Sequence, residues 1–178
     1  MKLEFRKITA FDETMVAAYN RWENDRTISA LARPHKNQAS FEKERLQTVD
    51  TLTKRLEDHE MYAIMLDGVL VGEMNFMIDP EHLFRKEKGS GWIGITIGEA
   101  GARGKGIGAK AILFMEEEMK KMGLNRVELG VFEFNESAHR LYSRLGYKEI
   151  AREEGFTYYD GRMWADIRME KPLSPTAQ

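Results

Sequence analysis

The chain of 178 residues has no cysteine, which excludes disulfides, thiolate metal sites and a cysteine nucleophile. Long hydrophobic runs are also missing: no apolar stretch approaches the roughly 20 residues of a membrane-spanning helix. The N-terminus, Met1-Lys2-Leu3-Glu4-Phe5-Arg6, alternates apolar and charged residues and lacks the apolar core of a signal peptide. Nor is there an excess of positive charge. A formal net charge of −2 leaves no electrostatic footprint for nucleic acid. Internal repeats and low-complexity segments are absent. The expectation is a soluble, cytoplasmic protein with no membrane or nucleic-acid partner and no metal site.

What is present is ordinary globular composition, 42% hydrophobic and 31% charged, in a chain long enough for a good core but short for two enzyme domains. One domain over residues 1–170 is expected, with 171–178 as a C-terminal tail. Leu3 to Ile8 reads as a strand, followed by a helix capped by Thr9 or Asp12 and running to about Trp22. Asn24 to Gln38 breaks periodicity, and a second helix is expected from about Ser40 to Asp58. Met61 to Leu66 and Val69 to Met77 alternate around Asp67-Gly68, a two-residue hairpin signal. Trp92 to Ile97 is the next strand. A helix from about Gly106 to Met122 places Ile107, Ala111, Phe114, Met115, Met119 and Met122 on one face, with Glu116–Lys120 and Glu117–Lys121 pairs outside and Gly123 as its stop. Strands at Arg126 to Val131, Tyr147 to Arg152 and Trp164 to Met169 flank a short helix, Asn135 to Leu145.

The segment most informative about chemistry is Arg103-Gly104-Lys105-Gly106-Ile107-Gly108-Ala109, which joins an apolar strand to an amphipathic helix. A helix N-terminus carries unpaired N–H groups and a partial positive charge, so a phosphate fits there. Glycines let it approach the backbone, and Arg103 and Lys105 add charge. A nucleoside-triphosphate P-loop requires Lys and a hydroxyl after its last glycine, whereas Ile107 and Gly108 follow Gly106. A dinucleotide-binding oxidoreductase is a second reading, because Gly104, Gly106 and Ala109 satisfy G-x-G-x-x-[GA] and Glu133 lies near the end of the next strand. Against it, that motif should open the first β-α-β unit of a parallel sheet, and too little chain follows to supply the rest.

Arg103-x-x-Gly106-x-Gly108 resembles the [RQ]-x-x-G-x-[GA] motif of the GNAT superfamily of N-acetyltransferases. The run Asn135-Glu136-Ser137-Ala138-His139-Arg140-Leu141-Tyr142-Ser143-Arg144-Leu145-Gly146-Tyr147 resembles that family's later N-x-x-A-x-x-[LF]-Y-x-x-x-G-[FY] segment. The resemblance implies an α/β fold, a mixed central β-sheet flanked by helices, with two central strands splayed apart into a cleft for acetyl-CoA. Acetyl-CoA is then a co-substrate. By the same resemblance Arg103, Gly104, Lys105, Gly106, Ile107, Gly108 and Ala109 hold its pyrophosphate, Ile95, Thr96 and Ile97 pair with pantetheine, and Asn135 lies near the pantetheine arm.

The implied reaction moves an acetyl group to a primary amine. Tyr142 is the expected general acid for the departing thiolate, since a phenol of pKa about 10 suits that proton transfer. Packing in an apolar stripe with Ala138, Leu141 and Leu145 is its alternative role. Many family members carry a glutamate on the strand leading to the cradle, but Gly91 to Ile97 has no carboxylate. Glu73, Asp79 and Glu99 remain as candidate bases, beside a water chain or an already neutral amine. The acceptor is expected to be a small-molecule amine or a protein N-terminus. Tyr158 to Trp164 resembles the ending of ribosomal-protein and spermidine acetyltransferases, and its aromatics suit either a cationic amine or a homodimer contact. A non-catalytic module that binds acetyl-CoA on the same fold is the other function class open at this point.

Overall fold

A computed structural model describes residues 1–174. Seven strands form one sheet: β1 (Leu3–Lys7), β2 (Glu60–Leu66), β3 (Val69–Ile78), β4 (Ser90–Ile97), β5 (Arg126–Phe132), β6 (Lys148–Tyr159) and β7 (Arg162–Pro172). Their spatial order is β1-β2-β3-β4-β5-β7-β6, antiparallel throughout except for the β4–β5 pair. This is the mixed sheet that the sequence led us to expect. Both hairpins close on Asp-Gly turns in which each residue has positive φ, Asp67-Gly68 (49° and 82°) and Asp160-Gly161 (48° and 81°), as the right-handed twist of paired strands requires.

Alternation along the strands gives the sheet two chemically different faces. One carries Met74, Phe76, Ile93, Val127, Leu129, Ile167 and Met169, all buried under α5 (Ile107–Lys121) and α6 (Glu136–Arg144). The opposite face meets α1 (Glu13–Asn24), α2 (Arg26–Ala32) and α4 (Val49–Arg55) in a smaller core around Tyr19, Trp22, Ile28, Leu52 and Met61. Toward the middle strands this second face turns polar. Glu73, Asn75, Glu128, Asp166 and Arg168 are buried there.

Two helical expectations change. Asp12, not Thr9, caps α1, accepting from the Met15 amide at 2.8 Å, and α1 runs on to Asn24. The helix expected over Ser40 to Asp58 is two short ones, α3 (Gln38–Glu42) and α4, separated by an extended segment. Asn20 and Asn24, one turn apart on α1, clamp that segment. Asn24 exchanges hydrogen bonds with the backbone N–H and C=O of Arg45, both at 2.8 Å, and Asn20 does the same with Gln47, at 2.7 and 3.0 Å. Side-chain amides thus imitate a neighbouring strand and remove the backbone groups a helix would need. Thr48 and Thr51 then form a capping box that restarts the helix.

Glu116 also departs from expectation: it is not on an outer face with Lys120 but buried, accepting from the Tyr147 hydroxyl at 3.0 Å and the Lys171 ammonium at 2.9 Å. Lys120 and Lys121 pair one residue closer, with Glu117 and Glu118. The expected tail from Lys171 begins instead as the end of β7, and Leu173 is buried with its amide on the Asn125 carbonyl. Residues 175–178 of that tail lie outside the described residues.

The decisive feature is how little of β4 and β5 is paired. Ser90, Gly91 and Trp92 pair with Arg126, Val127 and Glu128, and beyond them the strands part, which is the splay the family resemblance implied. A buried charge network pins the joined end. Glu128 is fully buried and accepts from the Phe84 and Arg85 amides and from Arg126, with the Arg168 guanidinium 3.7 Å away. Arg126 also reaches Ser90 on β4 and Glu170 on β7. Glu128→Ala leaves two buried guanidinium groups without this partner and should destabilise the protein by about 3–5 kcal/mol in urea unfolding. A loss under about 1 kcal/mol would mean that the network is not what holds β4 to β5.

Candidate active site

The cleft lies where β4 and β5 part. Along β4, Gly98 N–H bonds to the Val71 carbonyl of β3 and Ser90 C=O accepts from Asp79, so even-numbered residues turn their backbone groups toward β3. Odd-numbered residues turn theirs toward the gap. The backbone groups of Ile95 and the N–H of Ile97 therefore point into the cleft, and the Ile97 carbonyl accepts from Arg103 Nε at 3.0 Å. Thr96, expected beside them, turns its backbone to β3, and its side chain lies across from Glu73 on the polar face.

Below the gap begins α5, and its N-terminus differs from every other α-helix among the described residues. Asp12, Asp25, Asn37, Thr48 and Asn135 cap the others with side chains, but α5 starts at Gly106, in the left-handed region at φ 74°, with no side-chain cap. The first-turn amides at Ile107, Gly108 and Ala109 are thus left for a ligand, beside positive helix-end charge. A Cβ added at Gly104 or Gly106 would meet nothing within 4 Å, so the space in front of these glycines is open. Gly108 serves packing instead, since a Cβ there would come within 3.3 Å of Leu141. Ile107 is core. Lys105 is exposed, whereas Arg103 turns its guanidinium back onto the Ile97 and Gly98 carbonyls and so braces the end of β4.

On the other side of the gap stands α6. Asn135 caps it, accepting from the Ala138 amide at 3.3 Å. One face of the helix then brings Tyr142 into the core beside Tyr147, ring centroids 5.9 Å apart. The two phenols differ. Tyr147 donates to Glu116, while burial alone, with no hydrogen bond contributing, pushes the Tyr142 hydroxyl up to about 12. Tyr142 is therefore protonated at neutral pH and holds its proton uncommitted.

Through the sheet, on the polar face, a cavity of about 370 Å³ opens against Gly94, Ile95 and Thr96. Tyr19 and Ser29 line it, and each has a buried hydroxyl with no partner among the described residues. Of the three carboxylates considered as bases, Glu73 alone lines this cavity. Asn75 Nδ2 donates to both of its oxygens at 3.2 Å, and Arg55 stands 3.9 Å away. Burial dominates and raises its pKa above the usual carboxylate range. Glu99 is tied to Trp22 and Arg21, which lower its pKa, and Asp79 accepts from the Gly89 and Ser90 amides. The importance of Glu73 was hidden in the sequence because its neighbours at the site, Asn75 and Thr96, depend on face and register across two strands.

His139 pairs with Glu149 at the surface. The aromatics of the final hairpin pack within the chain: Tyr159 stacks on Phe134, and Trp164 Nε1 donates to the Tyr159 carbonyl. Among the described residues no helix is long and apolar enough to cross a membrane.

The sequence matches the acetyltransferase (GNAT) family over residues 16–147. A Nematostella vectensis N-acetyltransferase 9-like protein is 33% identical over 89 residues, a match covering 49% of this chain and 42% of that relative. Among solved structures, a phosphinothricin acetyltransferase from Sinorhizobium meliloti in complex with acetyl-CoA superposes with a TM-score of 0.76 at 16% identity, covering 100% of this chain and 92% of that one. A Vibrio cholerae spermidine N-acetyltransferase in complex with CoA and spermine gives 0.72 at 18%, covering 96% and 95%. At these identities the two structures speak for the fold.

The raised pKa of Glu73 has a thermodynamic signature. A carboxyl whose folded pKa exceeds its unfolded value stabilises the fold fully below the unfolded value, and loses that contribution as pH rises through the folded one. Urea unfolding between pH 4 and 8 should show this loss in the wild type. Glu73→Gln, which cannot ionise, should flatten the slope, and an unchanged slope would refute the assignment.

Proposed function

The chain belongs to the acetyltransferase (GNAT) family, and from that premise we propose that it is an acetyl-CoA-dependent N-acetyltransferase. The observation that carries this reading is the uncapped α5 N-terminus set below a gap lined by the free backbone groups of Ile95 and the free N–H of Ile97. The amides of Ile107, Gly108 and Ala109, reached through open space at Gly104 and Gly106, would hold the pyrophosphate with Lys105. Arg103 would act by fixing the strand end, and Thr96 by facing the acceptor. Asn135 would orient α6, with its amide directed to the pantetheine arm.

With the thioester in the gap, the acceptor amine approaches from the polar face. Its nitrogen lone pair attacks the carbonyl carbon, and the oxyanion is met by the Ile97 N–H. Glu73, held ready to take a proton by its raised pKa, receives the one the amine loses. The C–S bond then breaks, and the thiolate takes the Tyr142 proton. The acceptor is a primary amine on a small molecule or a protein N-terminus, and a cytoplasmic location is part of this reading. A homodimer is not required, because the hairpin aromatics that suggested one pack within the chain.

The direct test is an amine panel with acetyl-CoA, following released CoA with a thiol reagent. The protein has no cysteine and gives no background. Tyr142→Phe should lower kcat by roughly 10²-fold. Because no partner for that hydroxyl stands among the described residues and burial alone shifts its pKa, the melting temperature should scarcely move. A single-turnover rate within about threefold of wild type would remove Tyr142 from the mechanism.

The cofactor site is tested separately. Gly106→Val should lower stability by about 1–2 kcal/mol, through its positive φ. It should also abolish the rise in melting temperature that CoA produces, because the new side chain projects into the cradle. Normal CoA binding by this variant would displace the pyrophosphate from this loop.

A further inference from the structure

The polar-face cavity continues outward into a groove of about 530 Å³ along residues 33–36 and 43–47, and the two share Arg33, Arg45 and Gln47. Their combined lining carries five cations, Arg33, Lys36, Lys43, Arg45 and Arg55, against three acids, Glu23, Glu44 and Glu73. The charges are sorted by depth. Glu73 sits at the inner end against β4, where Arg55 and Asn75 already attend it. At the junction, Arg33 lies 3.8 Å from Glu23, whose carboxylate also accepts from Gln47, while the Arg45 guanidinium has no carboxylate partner among the described residues. Arg33 and Arg45 repel each other across this junction, and the repulsion adds to burial in lowering the Arg33 pKa.

Two like charges are not brought together by accident of a mobile side chain here. The Asn20–Asn24 clamp fixes the Arg45 and Gln47 backbone, and the extended conformation sends both side chains to one side. Beyond them, His35 anchors the opposite wall: its N–H donates to Thr157 Oγ1, and its carbonyl accepts from Tyr158. The junction is thus built on held backbone at both walls, with a surplus of cations that a bound anion would balance.

Resting on the acetyltransferase reading, we propose that the acceptor is an anionic amine: its ammonium end enters toward Glu73 and its carboxylates lie against Arg33 and Arg45. The groove beyond has room for an extended chain, so an N-terminal α-amine followed by acidic residues fits its whole length. A free acidic amino acid offers the same chemistry to the inner half alone. Planar guanidinium groups suit carboxylates, with bidentate geometry available to each.

The experiment compares acetyl transfer to three peptides of one length, with glutamates, alanines or lysines at positions two to four, and to free glutamate and spermidine. The acidic peptide should exceed the lysine peptide in kcat/KM by about tenfold or more, with a gap that narrows as salt is raised. Arg45→Gln, at an exposed position, should erase most of the preference through KM, leaving kcat and the CoA-induced rise in melting temperature unchanged, while Lys88→Gln, outside the groove, should keep it. Preference for free glutamate over the acidic peptide would uphold the anionic acceptor and assign the smaller source. Preference for spermidine, the lysine peptide or the alanine peptide overturns the proposal, as does a preference that Arg45→Gln leaves intact.

A second readout separates this inference from the reading beneath it. Fluorescence polarisation of a labelled acidic peptide on the CoA-loaded protein requires no turnover. Binding of the acidic over the lysine peptide, lost in Arg45→Gln, sustains the anionic acceptor even if no amine is acetylated, an outcome that would count against catalysis only. Equal binding of both peptides refutes it.

Discussion

The site depends on one constraint: β4 and β5 must be held together at one end and apart at the other. Three paired residues on each strand meet that requirement only because Arg126, Glu128 and Arg168 lock the joined end with buried, charge-assisted hydrogen bonds. A continuous parallel ladder would have satisfied the backbone of Ile95 and Ile97 internally and closed the gap. Parting the strands leaves those groups for a cofactor, and it makes a passage between two faces of the sheet that would otherwise be separate compartments. One face is apolar and supplies Tyr142. The other is polar and supplies Glu73. In the proposed reading an acyl donor threaded between them would meet a proton donor and a proton acceptor from opposite sides.

The same geometry explains why unfavourable features cluster here. Glu73 is a buried carboxyl with an elevated pKa, and Tyr19 and Ser29 hold buried hydroxyls without partners among the described residues. Each lowers stability relative to an apolar residue of similar shape. Away from the cavity buried Glu116 and Glu128 are saturated with donors, although Arg26 Nη1 is also buried without a partner among the described residues. Glu73 and the unpaired hydroxyls of Tyr19 and Ser29 all line the cavity that an acceptor would enter in the proposed reading.

What the sequence made legible was local. The Asp67-Gly68 hairpin follows from two residues that tolerate positive φ, and α5 follows from an apolar stripe that its own face requires. The two motifs marked the start of α5 and the run of α6. What escaped was set by distant partners. Residues 40–58 have helical composition, but Asn20 and Asn24 claim the backbone in their middle. Glu116 looked solvated because Tyr147 and Lys171, which bury it, come from far along the chain. Thr96 was grouped with Ile95 and Ile97 by adjacency, whereas strand parity sends its backbone the other way. Glu73 needed its register with Thr96 to stand out from other scattered acids.

The asparagine clamp has an implication for how such a protein changes its clientele. It holds only main-chain atoms of residues 45 and 47, and while the Gln47 side chain is engaged by Glu23 and Thr51, the Arg45 side chain has no such role among the described residues. Their neighbour Leu46, at 81% exposure, stands between them along the outer groove. Side-chain identity at position 45 can therefore drift without disturbing the sheet or the start of α5. Length cannot: inserting a single residue between the two clamped positions would break the match between the one-turn spacing of Asn20 and Asn24 and the backbones they hold. Divergence at this segment is therefore open to substitution and closed to small insertions, and relatives would exchange specificities here by point replacement.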